Sequence, residues 1–120
     1  MANLIALERA KREKLIRCTS IVDELSKLSF VNPKLMDEIV KSLKETLEKI
    51  AREQISQQIR LADSMTKMIL SEQLAKITEA KTELSKTPID VEKVRKAILA
   101  AISSSNIILK ESTENVGVAA

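Results

Sequence analysis

Leu4, Leu7, Leu15, Cys18, Ile21, Val22, Leu25 and Leu28 recur at steps of three and four. At about 100° per residue they share one side of a helix that spans roughly residues 3 to 29. Ile5 and Ile16 fall on the opposite side among Arg9, Arg12, Ser20 and Lys27, nearly aligned with one another. An isoleucine left in water forgoes about 1.5–3 kcal/mol of burial. The pair, bracketed by Arg9 and Arg12, therefore predicts a helix-face contact with a protein partner or a second copy of the chain.

Two prolines punctuate the rest of the chain. Pro33 is suited to the first position of a helix, with Asn32 before it as a capping side chain. Pro88 disfavours helical geometry at Thr87, and Asp90 can cap a helix that opens at Val91 and runs to about Lys110, burying Val94, Ile98, Ile102 and Leu109. The segment 33–86 holds no Gly, and no Pro after Pro33. As one helix it would be roughly 80 Å long, far beyond a compact chain of this size. Its apolar direction turns by roughly 90° between the set Met36, Val40, Leu43, Leu47 and the set Ala51, Ile55, Ala62, and by about 60° more toward Leu70, Leu74, Ile77 and Leu84. A heptad seam drifts by only about 20° per heptad and in the other sense. The prediction is an interruption between Leu61 and Ser71, where Asp63, Ser64, Thr66 and Ser71 offer caps. The expected fold is all-α: a bundle of three to four helices in residues 1–112 with a long, interrupted central segment, and a loosely held tail over 113–120 that contains the single glycine, Gly117.

Composition agrees with helices and removes much chemistry. The 120 residues include no His, Trp or Tyr, one Phe and one Cys, while 44% are hydrophobic and 31% charged. Without histidine and with one thiol there is no Cys/His metal site, no internal disulfide and no familiar nucleophile triad. One glycine cannot build a phosphate loop. Glu45 and Glu48 face one side of a helix, but a two-iron carboxylate bundle needs Glu-x-x-His motifs. The expectation is a protein that is not an enzyme, with no cofactor, no metal and no small-molecule substrate. A solitary Cys18 in an apolar pattern suits a reducing compartment, and the longest uncharged run near the start, residues 1–7, is too short for a secretory or membrane segment. The expected location is cytoplasmic, away from membrane.

The net charge of +3 is carried by residues 1–17, the remainder being balanced. Arg9, Lys11, Arg12, Lys14 and Arg17, with Lys93, Arg95 and Lys96, are the candidates for contact with a nucleic-acid backbone. With no aromatic side chains for stacking other than Phe30, base recognition is not expected. Met36, Met65 and Met68 beside Ile69 and Leu70 fit core filling better than an adaptable contact surface. The polar stretch 52–60 fits an exposed helix middle better than a set of ligand-binding amides, and Ser103-Ser104-Ser105 fits close helix packing.

Two functions remain from different classes. The first is a non-enzymatic helical subunit holding a position in a larger assembly through helix-face contacts. The alternative is a small subunit of a ribonucleoprotein or DNA complex that touches nucleic-acid backbone, comparable in size and helicity, but in no motif, to the small helical subunits of CRISPR effector complexes or to coat proteins.

Overall fold

A side chain close in sequence fixes the start of each of three helices. Asn32 Oδ1 accepts from Leu35 N (3.1 Å), with Pro33 in the first helical position. Asp63 Oδ1 accepts from Thr66 N (2.8 Å), and Asp90 Oδ1 from Lys93 N (3.2 Å). The orphan amides of a first turn are satisfied in this way. A computed structural model describes the backbone of residues 2–28 and 31–119 and the side chains of 5–28 and 31–110. The helices are α1 (Ala2–Leu28), α2 (Pro33–Lys49), α3 (Ser56–Leu61), α4 (Ser64–Leu84) and α5 (Val91–Ala119), and a π turn, Ile50–Ile55, joins α2 to α3. The predicted interruption falls at Ala62–Asp63, where Ala62 is extended.

Because α2, the π turn and α3 follow one another directly, the architecture is a four-rod, all-α bundle of 54 × 21 × 19 Å. α5 packs along both α1 and α4, and the α2–α3 rod packs against the same two helices. Neighbouring rods are antiparallel. Arg12 donates to Asn106 and Arg95 pairs with Asp23 (3.5 Å) between α1 and α5. Lys81 donates to Glu48, and Lys44 to Ser85 Oγ (3.1 Å), between α2 and the end of α4. Leu15, Val22, Leu25, Leu43, Leu47, Ile50, Ile55, Leu70, Ile77, Leu84, Val94 and Ile98 fill the axis between the rods.

The buried face of α1 differs from the predicted one. Glu8, Lys11, Leu15, Cys18, Val22 and Leu25 are buried, an unbroken three-four alternation, whereas Leu7 and Ile21 are exposed. Leu4 lies outside the residues whose side chains are described. Ile5 and Ile16 are half-buried, and Ile16 packs against the core. The real stripe is turned toward them, so they stand at its margin and do not form the centre of an exposed face. The cause is that two charged residues occupy core positions that a hydrophobicity pattern leaves blank. α5 also continues to Ala119 instead of ending near Lys110. No proline lies in that stretch to stop it, and Gly117 costs only about 1 kcal/mol relative to alanine. The side chains of the tail 113–120 lie outside the described residues.

Candidate functional site

The α-helical stripe that carries Leu15 inward carries Lys11 and Glu8 inward one and two turns earlier, and both are sealed from water, at 0% and 1% exposure. Lys11 Nζ lies 2.6 Å from Glu8 Oε2 and donates to Gln58 Oε1 on α3 at 2.8 Å. Glu8 Oε2 is met by this ion pair, while Glu8 Oε1 is buried with no hydrogen-bond donor. Burial pushes the Lys11 ammonium below its usual range, and the adjacent Glu8 charge partly restores it. Such a pair is held by mutual charge in a low-dielectric interior, where either member alone is strongly unfavourable.

Two further amides turn inward. Gln54, in the π turn, buries its Oε1 without a partner. Gln73 on α4 donates through Nε2 to Ala101 O and to Ser105 Oγ on α5, both at 2.8 Å, while its Oε1 is unpartnered. The stretch 52–60 is therefore not a uniformly exposed helix middle: Gln54 and Gln58 face the bundle. Ser104 and Ser105 are buried, in keeping with close helix packing. Among the described residues no group of three or more His, Cys, Asp or Glu is placed to hold a metal ion.

The predicted cationic set divides sharply. Arg9, Lys14, Arg17, Lys93 and Lys96 are exposed; Arg95 is exposed and paired with Asp23; Arg12 is half-buried and occupied by Asn106. Lys11 is inside the bundle and inaccessible to a phosphate, a correction to its place among the backbone candidates. The four predicted contact residues also divide: Arg9 is exposed, while Ile5, Arg12 and Ile16 are half-buried.

A run of exposed apolar side chains lies where the sequence placed core filling. Leu61, Met65 and Met68 are 80%, 64% and 68% exposed around the Ala62–Asp63 link, whereas Ile69 is half-buried and Leu70 buried. Their spacing of four and three residues was visible in the sequence, but the helix break at residue 62 hides that they share a corner. A second apolar surface is an open groove between α1 and α2 lined by Ile21, Glu24, Ile39, Ser42, Leu43 and Thr46. No helix among the described residues is long and apolar enough to cross a membrane. No family model matches the chain, and no curated protein or solved structure is found to be similar to it.

Proposed function

We propose that the protein is a non-enzymatic helical subunit that holds a position in a larger assembly, and that the corner of α3 and α4 is its contact with a protein partner. The observation that carries this reading is the exposure of three large apolar side chains, Leu61, Met65 and Met68, within eight residues. Isolated exposed apolar residues are ordinary; a cluster rich in methionine is a surface that adapts to a partner's shape. The lack of histidine and of a phosphate loop in the chain supports the absence of catalysis. The cytoplasm, a reducing compartment, is the location that suits Cys18.

The test is the triple variant Leu61→Lys, Met65→Lys, Met68→Lys. Its circular dichroism and stability are expected to stay close to those of the parent, because exposed substitutions change stability by about 0.5 kcal/mol or less each. Association, read by light scattering for self-assembly and by co-purification for a different subunit, is expected to be lost. Undiminished association by a folded triple variant overturns the reading. Binding to random nucleic acid that survives the substitutions and falls steeply with salt would favour the alternative, a backbone-contacting subunit.

A further inference from the structure

The stripe buried by α2, Val40, Leu43, Leu47 and Ile50, advances by three and four residues. An uninterrupted α-helix would continue it through Gln54, Gln57 and Leu61. The π turn accommodates one surplus residue: Ser56 N–H bonds to Ala51 O, five residues back, and Ser56 Oγ donates to the same carbonyl at 3.0 Å. Everything beyond is displaced by one position, about 100° around the axis. Ile55 thus stands at the place of Gln54, Gln58 at that of Gln57, Ile59 at that of Gln58, and Ala62 at that of Leu61.

The two registers share one polar contact. Lys11 meets a glutamine amide in both, Gln58 in the observed one and Gln57 in the other. The observed register keeps Ile55 and Ile59 in or against the core, which makes it the ground state, yet it buries Gln54 Oε1 without a partner and leaves Leu61 in water. The other register passes the buried place of Ile55 to Gln54 and gains Leu61, so it is the minor state. The extended residue Ala62 lies outside both α3 and α4, where one residue of slack can be taken up.

We propose that Ile50–Ile55 is a register switch, exchanging the observed arrangement, which displays Leu61 beside Met65 and Met68, with an α-helical one that withdraws Leu61 into the bundle. Its use in controlling partner contact rests on the functional reading above; the exchange itself does not. A partner that grips Leu61 holds the π register by differential affinity.

Relaxation-dispersion NMR on the whole chain tests this, comparing the parent with a chain lacking the exposed Glu53. That deletion removes the surplus residue and leaves Ile55, Gln58 and Ile59 in their present places on a regular helix. The parent is expected to show microsecond-to-millisecond exchange confined to residues 51–62, from a minor state populated at about 0.1–10%, and the deletion chain none. The exchanged pair Gln54→Ile, Ile55→Gln is expected to invert the populations, slowing modification of a Leu61→Cys thiol by about tenfold or more. Flat dispersion over 51–62 in the parent overturns the proposal, as does equal exchange in both chains. If the deletion chain does not fold, the parent's profile and the thiol rates decide. None of these readouts involves a partner, so a failed association experiment leaves them independent.

Discussion

Lys11 Nζ donates to Gln58 Oε1 across 2.8 Å, joining the first helix to a residue forty-seven positions later inside the bundle, with the Glu8 carboxylate 2.6 Å from the same nitrogen. The buried pair makes a double-mutant cycle informative. Lys11→Met alone leaves the Glu8 carboxylate buried without a counter-charge and is expected to destabilise by about 3–5 kcal/mol, whereas Glu8→Leu with Lys11→Met is expected to be neutral or stabilising. Urea denaturation of the two single variants and the double variant checks both statements. Equal costs for the double and the single variants would show that the pair is held by more than its own charges.

Gln73 joins α4 to α5 through two hydrogen bonds but buries an acceptor with no donor. Gln73→Leu combined with Ser105→Ala removes both the satisfied and the unsatisfied groups. Its expected cost is about 1 kcal/mol or less, smaller than that of Ser105→Ala alone, which leaves the amide with one acceptor fewer. Thermal unfolding of the two variants provides the comparison.

Alkaline stability depends on two buried groups of opposite sign. Burial pushes the Cys18 thiol up from 9.0 to about 11. Between those values the unfolded chain releases the proton while the folded chain keeps it, so stability falls as pH rises through the window, by about 1.4 kcal/mol per pH unit at most. Lys11, lowered from 10.5 by burial, binds its proton more weakly when folded, so its contribution rises with pH just below 10.5. Cys18→Ala is expected to flatten the decline. In chains carrying Lys11→Met the decline is expected to steepen, as read by urea midpoints at about pH 8, 9 and 10.

The exposed cations give a separate expectation. Replacing Arg9, Lys14 and Arg17 with Gln is expected to leave helicity unchanged and to weaken any backbone contact with nucleic acid uniformly across sequences, with a shallower salt slope. Lys11→Gln is expected to act on folding instead, because its ammonium is inside. An unchanged salt slope in the triple variant removes this cluster from any nucleic-acid role.

Helix starts were legible along the chain, since capping is local: Asn32 with Pro33, Asp63 and Asp90 each satisfy an amide three residues ahead. The sequence also contained the roughly 90° turn of the apolar stripe between Leu47 and Ile55, which matches the displacement of one residue in a π turn. That the turn is absorbed within a continuous rod, and not by a break, was decided by the core, which holds Ile50 and Ile55 simultaneously. Only the tertiary structure placed Glu8 and Lys11 inside and Met65 and Met68 outside. A helical wheel weighs each residue by its own polarity, but burial is set by what the neighbouring rods bring to the same spot. Lys11 is inside because Glu8 and Gln58 meet its ammonium there, and the methionines are outside because the chain reverses at Ala62 and no rod among the described residues covers that corner.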